Sequence, residues 1–201
     1  MKYIIGVTGP SGSGKSLFSE LAAERGVFCI NCDKSARKAA YKGSALLKNL
    51  VEVFGEQILS SDGELDRSEL AKIAFSSRKN TELLNRTSLP HIVKFVRAEI
   101  DSAEENSVVL LDAPTLFESG LDEICNTTVA ILADYNLRNS RIIERDNLTE
   151  ERAELRLKAG KPEEFYTERA NMVIYNNSDY DTFCSNCLTI LNKILGGIQN
   201  G

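Results

Sequence analysis

Gly9-Pro10-Ser11-Gly12-Ser13-Gly14-Lys15-Ser16 is the stretch that decides the fold. It fits G-x-x-x-x-G-K-[ST], the phosphate-binding P-loop pattern, without a mismatch. Its flanks give the pattern meaning. Tyr3-Ile4-Ile5-Gly6-Val7 before it is a short apolar run that reads as a buried strand. Leu17, Phe18, Leu21 and Ala22 after it recur at helical spacing, and Gly26 stops the helix. Glycines let the main chain curl until its N–H groups converge. The helix N-terminus adds partial positive charge at the same point. Gly9 through Leu17 are therefore the expected nucleotide-binding segment. Lys15 is expected to reach the β- and γ-phosphates, and the Ser16 hydroxyl to ligate Mg²⁺.

Working outward, composition sets bounds. The 201 residues suffice for one domain with an insertion, and 42% hydrophobic content supports a real core. A formal net charge of −5 argues against a nucleic-acid binder held by broad electrostatics. No apolar run approaches the ~20 residues of a membrane span. The chain enters a strand directly, so the expected location is the cytoplasm. The residues from Gly196 to Gly201 read as a frayed tail. Nothing points to a particular oligomeric state.

Five cysteines include two C-x-x-C pairs, Cys29/Cys32 and Cys184/Cys187. A zinc site fails on geometry. Cys29 and Cys32 sit at the end of a predicted strand, where residues three apart face opposite sides. Cys184 and Cys187 share a helical stripe with Phe183, Leu188 and Leu191, which makes them core.

The second strand is Val27-Phe28-Cys29-Ile30-Asn31, ending at Asp33, and a helix begins over Ala36, Ala39 and Ala40. In an α/β sheet, ligands gather at the carboxyl ends of strands. Asp33 there is suited to take a proton from an acceptor hydroxyl or to hold Mg²⁺ through water. Its other reading is a helix cap. Arg37, four residues on, shares its face. Apolar faces at Ala45/Leu46/Leu50/Val51, Leu70/Ile73/Ala74 and Ile92/Val93/Val96/Ile100 predict helices, the last starting near Pro90 and His91. About seventy residues separate this strand from the next, far more than a plain crossover needs. Residues 34–104 are thus expected to be a helical insertion for a second substrate.

Ser107-Val108-Val109-Leu110-Leu111-Asp112 is a strand whose closing Asp112 is placed for the Mg²⁺ site. Phe117, after it, suits either an acceptor base or the core. Thr128–Leu132 is a fourth strand. Arg138, Arg141 and Arg145 fall on one helical face, and Arg152 and Arg156 repeat the spacing after a cap at Thr149. Arginines on a lid over residues 134–169 can neutralise charge moving between phosphates. Asn171–Tyr175 is a fifth strand, and a helix carrying Phe183, Leu188, Leu191, Ile194 and Leu195 closes the chain.

These residues together resemble the dephospho-CoA kinase family over nearly the whole length. The matching motifs are Val7-Thr8-Gly9 with the P-loop, Asp33-x-x-Ala36-Arg37, Phe54-Gly55, Leu65-Asp66-Arg67-x-x-Leu70, Asp112-x-Pro114-x-Leu116-Phe117-Glu118-x-Gly120-Leu121, Arg141-x-x-x-Arg145-Asp146, Ala153-x-x-Arg156-Leu157 and Arg169-Ala170-Asn171-x-Val173-Ile174-x-Asn176. The resemblance implies transfer of the ATP γ-phosphoryl group to the ribose 3′-hydroxyl of dephospho-CoA. It implies a three-layer α/β P-loop kinase fold with a five-stranded parallel sheet, a helical acceptor region and a lid. It also implies catalytic Asp33, Lys15 and Arg141, acceptor contacts from Asp33, Arg37, Phe117, Glu118, Arg145 and Arg156, and Mg²⁺ at Ser16, Asp33 and Asp112. The chain departs from the family's usual residues at Asn31, Leu89, Gly160 and Asn171.

Two other readings compete. A kinase for another small hydroxylated acceptor, such as a nucleoside or nucleotide, would carry the same P-loop. A guanine-nucleotide switch would need Asn-Lys-x-Asp and Asp-x-x-Gly. Asn192-Lys193-Ile194-Leu195 lacks the Asp, and no Asp-x-x-Gly occurs.

Overall fold

The computed structural model describes residues 1–199. Five strands, β1 (Tyr3–Thr8), β2 (Phe28–Asn31), β3 (Val108–Asp112), β4 (Thr127–Leu132) and β5 (Met172–Tyr175), form a parallel sheet in the order β2-β3-β1-β4-β5. Val7 of β1 is level with Asp112 of β3 on one side and Val129 of β4 on the other. Side chains alternate across a strand, and that alternation sets the layers. Ile5, Val7, Leu110, Val129, Ile131 and Ile174 join Phe18 and Leu21 of helix α1 (Lys15–Ala23) in one core. Phe183, Cys187 and Leu191 of the C-terminal helix complete that core. Ala130 and Leu132 face the other way, into a smaller cluster with Tyr166 and the rings of Phe117 and Phe165. Helices and loops therefore cover both faces, a three-layer α/β arrangement.

The chain divides into two compact units, Met1–Ile30 with everything from Ala103 onward, and Asn31–Ser102. The second unit holds α2 (Cys32–Ala39), α3 (Ala45–Phe54), α4 (Arg67–Ala74) and α5 (Arg78–Ser102). It has its own core of Ala39, Leu46, Leu50, Phe54, Ile58, Leu70 and Ala74. Ser44 and Asp66 cap α3 and α4 by accepting main-chain N–H groups, as their residue types favour.

Three expectations on local structure are corrected. Helix α2 starts at Cys32, not near Ala36, and its cap is Asn31, whose side chain accepts from the Lys34 N–H. Asp33 lies in the first turn instead of capping it. Pro90 and His91 do not start a helix. They lie inside the 25-residue α5. A proline there cannot donate to the carbonyl four residues back, yet Leu83 and Leu84 before it and Phe95 after it pack on the same core, and that packing outweighs the break. His91 Nε2 sits 2.9 Å from Asn49 Nδ2. The residues from Gly196 to Gln199 are helical, not frayed, because Leu195 and Ile198 pack on the main core; Asn200 and Gly201 lie outside the described residues.

The first unit continues through α6 (Tyr135–Asp146), α7 (Glu150–Lys158), α8 (Glu163–Thr167) and α9 (Tyr180–Gln199). Thr149 precedes α7 at the cap position, although its side chain makes no cap hydrogen bond.

Candidate active site

The sheet order reverses at β1. The chain leaves β1 for β2, returns to β3 beside β1, then crosses to β4 on the opposite side. Such a reversal opens a crevice at the strands' carboxyl ends, and residues 9–14 leave β1 there. Gly9 and Gly14 show why glycine is needed in this loop. Gly9 has φ +140, and a Cβ on it would lie 2.0 Å from the Ile131 carbonyl oxygen. Gly14 has φ +99, and a Cβ there would lie 2.4 Å from Asn176 Nδ2.

The loop's carbonyls are tied back. Lys15 Nζ donates to the Gly9 carbonyl at 2.8 Å and to that of Pro10 at 3.3 Å. Arg141 Nη1 donates to the Gly12 carbonyl at 3.4 Å, and Asn176 Nδ2 to that of Ser13 at 2.9 Å. With its acceptors held this way, the loop presents its N–H side. At the start of α1 the Leu17 N–H turns to the Gly14 carbonyl at 3.3 Å, the N–H groups of Lys15 and Ser16 have no carbonyl four residues back within the helix, and no side chain caps it. The Ser13 hydroxyl is buried without a partner among the described residues. A main-chain donor set with a lysine beside it fits an anionic polyphosphate.

Asp112 ends β3 beside Val7, and the Ala113 N–H donates to the Val7 carbonyl at 3.0 Å. The carboxylate is 8% exposed. It contributes to the high pKa of the Cys29 thiol, pushed up to about 11 first by burial and then by Asp112. Ser16 and Asp112 are hard oxygen donors, the type Mg²⁺ takes. No cluster of three or more His, Cys, Asp or Glu suited to a metal occurs among the described residues. An Mg²⁺ ion here would draw its remaining ligands from nucleotide phosphates and water.

The expected lid arginines divide. Arg141, on α6, reaches the P-loop. Arg145 makes a bidentate contact to Asp146 at 2.8 Å on both arms, and Arg156 reaches the same carboxylate at 2.6 Å. The Arg145 guanidinium, ahead of that of Arg156, holds the Asp146 carboxyl below its usual range. A small cluster of Ile142, Ala153 and Leu157 ties α6 to α7 underneath.

Phe117 packs edge-on against Phe165, with ring centroids 5.9 Å apart, in the outer-face core. Glu118 beside it has a buried Oε2 without a partner among the described residues. Burial pushes its pKa up, and Lys161 and Arg169 offset this in part. Those two cations flank the Phe165 ring at 5.2 and 4.4 Å. Asp33 and Arg37 belong to the second unit, four residues apart and exposed on α2. The Arg37 carbonyl accepts from Arg67 Nη2 at 2.9 Å.

Asn176 carries no assigned role in the motifs, yet it holds the loop. The available signal was its position, a polar residue directly after β5 at the sheet's carboxyl edge. Asn171 has a plain structural role. Its Oδ1 accepts from both the N–H and the hydroxyl of Thr128, at 2.8 and 2.9 Å, so an amide oxygen suffices there.

The dephospho-CoA kinase family model matches residues 3–182. This chain belongs to the dephospho-CoA kinase family. A dephospho-CoA kinase of Fusobacterium nucleatum is 35% identical over 178 residues, spanning 89% of this chain and 91% of that protein. One from Arabidopsis thaliana is 37% identical over 180 residues, spanning 89% and 78%. Among solved structures, the dephospho-CoA kinase of Campylobacter jejuni superposes with a TM-score of 0.70 at 28% identity, covering 98% of this chain and 99% of its own. A shikimate kinase from Acinetobacter baumannii, 17% identical with a TM-score of 0.55 over 98% and 95% of the two chains, shares the fold. The chain is thus a kinase of P-loop fold, and membership of this family implies ATP as its co-substrate.

Proposed function

We propose that the chain transfers the γ-phosphoryl group of ATP to the ribose 3′-hydroxyl of dephospho-CoA, giving coenzyme A and ADP. One observation carries the site assignment: four P-loop carbonyls tied back by Lys15, Arg141 and Asn176, which turns the loop's donors toward one anion. Family membership supplies the acceptor.

Residues Gly9 to Leu17 hold the triphosphate through main-chain N–H groups, and Lys15 neutralises its β- and γ-oxygens. Ser16 and Asp112, with Asp33, would hold Mg²⁺. When bound, that ion would add positive charge beside the phosphates and so offset the charge that moves during transfer. Asp33 accepts the proton of the 3′-hydroxyl as that oxygen bonds to the γ-phosphorus and the bond to the ADP oxygen breaks. Arg141 stabilises the charge on the transferring oxygens. Positioned charges of this kind supply several kcal/mol of barrier lowering. Residues 34–104, with Arg37, receive the acceptor, and Phe117 and Glu118 contact it. Residues 134–169 form a lid whose Arg145 and Arg156 add to its phosphate contacts. The cytoplasm, where ATP is abundant, fits this reading.

The test is incubation with ATP, Mg²⁺ and either dephospho-CoA or a panel of nucleosides and nucleotides, with products weighed by mass spectrometry. Coenzyme A formed in preference to every other product is expected. Phosphorylation of a different acceptor, with dephospho-CoA untouched, would overturn the proposal.

A further inference from the structure

We infer that Asn176 is a positioning residue that joins the P-loop to Arg141 and sets both for ATP before it arrives. The inference deepens the kinase reading and rests on it. Asn176 follows β5 directly and is 6% exposed. Its own N–H donates to the Leu132 carbonyl at 2.8 Å, which fixes where its side chain starts. Nδ2 donates to the Ser13 carbonyl at 2.9 Å. Arg141 Nη2 donates at 3.3 Å both to Asn176 Oδ1 and to its main-chain carbonyl. Arg141 Nη1 closes the ring on the Gly12 carbonyl at 3.4 Å.

The chemistry at this position is demanding. One planar group must donate to a main-chain carbonyl and accept from a guanidinium. Aspartate offers acceptors only, leucine offers neither. The amide also occupies the space that glycine at 14 leaves open, since a Cβ there would lie 2.4 Å from Nδ2. Two consequences follow for the reaction. The Ser13 and Gly12 carbonyls stay turned back, so the loop need not reorganise to present its N–H groups. The Arg141 guanidinium is already held at the loop when the nucleotide enters. Pre-paid ordering of this kind appears as affinity for the group that uses it. It predicts an effect on ATP and not on the acceptor.

The test uses the full chain with Asn176→Asp, Asn176→Ser and Asn176→Ala, each alone and with Arg141→Ala. ATP affinity is read from the rise in melting temperature with Mg²⁺–ATP, which needs no acceptor, and from KM. In Asn176→Asp, which keeps the acceptor for Arg141 but faces the Ser13 carbonyl with a carboxylate, ATP affinity is expected to fall on the order of tenfold. KM for dephospho-CoA is expected to stay within about twofold, because the lost bonds lie on the nucleotide side alone. Arg141→Ala is expected to cost less in the Asn176→Ala background than in the wild type, since the two share one network. ATP affinity within about twofold of wild type in all folded variants, or equal loss for both substrates, would overturn the inference. If Asn176→Ala fails to fold, the aspartate and serine variants decide. Wild-type protein that binds ATP but leaves dephospho-CoA unchanged would sink the proposed acceptor instead, and the ATP arm would still judge Asn176.

Discussion

At the scale of single residues, the site is a question of which atoms have somewhere to go. Lys15 caps two carbonyls of its own loop, so Lys15→Ala removes both a loop brace and the proposed phosphate cation. ATP affinity and turnover should each fall by at least tenfold, about 1.4 kcal/mol or more, read by ATP-dependent melting and steady-state kinetics. Asp33→Asn should cut turnover by orders of magnitude, the scale lost with a general base, while ATP binding stays near wild type; near-normal turnover would remove Asp33 from the chemistry. Glu118 offers a pH test. Burial raises its folded pKa, so the folded state holds this proton more tightly than the unfolded chain does. Stability from this group is full below the unfolded carboxylate pKa and is lost as pH rises through the folded one. Urea melts of Glu118→Gln and wild type should show the variant gaining relative stability as pH rises from 4 through 7, and a pH-independent difference would exclude a buried proton there. The P-loop residues were legible in the sequence because the motif is local. Asn176 and Asp146 stood in the matching motifs without a role, because the contacts of Asn176 to Ser13 and of Asp146 to Arg156 are made only by the fold.

At the scale of elements, sequence periodicity found each strand and most helices, and the misses have two causes. Asn31 outcompeted Asp33 as a cap since its side chain reaches the Lys34 N–H. Pro90 signals a helix boundary by local rules, but apolar anchors on both sides carried α5 through it. Gly196 and Gly197 signal an end, and Ile198 docking on the core overrode them. At Pro90 and at the C-terminal glycines, packing over distance beat a local preference; at Asn31, one local cap displaced another. Helices α6 and α7 show the opposite balance. They share a three-residue buried cluster, and the Arg145–Asp146–Arg156 pairs are partly exposed, with the arginine side chains 56% and 48% accessible. Exposed ion pairs contribute at most about 1 kcal/mol. Asp146→Asn should therefore change global stability by less than about 1 kcal/mol, while raising amide exchange in α7 and making it insensitive to added salt. A large loss of melting temperature would show that the pair braces the whole fold and not only α6 against α7.

At the scale of the whole molecule, two cores serve two tasks. The first lies under the sheet and holds the P-loop through Val7, Phe18 and Ile131; the second, around Leu50 and Phe54, holds only helices of Asn31–Ser102. The seventy-residue gap between strands and its apolar spacings pointed to helices in this stretch, but not to a core of their own, since that depends on Leu65 before α4 and on Leu83 and Phe95 of α5 joining Leu46, Leu50 and Phe54 of α3. Separate cores allow separate losses. Leu50 is 2% exposed, and Leu50→Ala should cost about 2–5 kcal/mol in its own unit through lost transfer energy and a cavity. Hydrogen exchange should accelerate in α3, α4 and α5 while β1, β3 and β4 keep their protection. ATP should still raise the melting temperature of the sheet unit, and turnover of dephospho-CoA should fall with the proposed acceptor region. Parallel loss of protection in β1 and in α3 would mean that the chain unfolds as one cooperative body, and that the nucleotide site draws its stability from both cores.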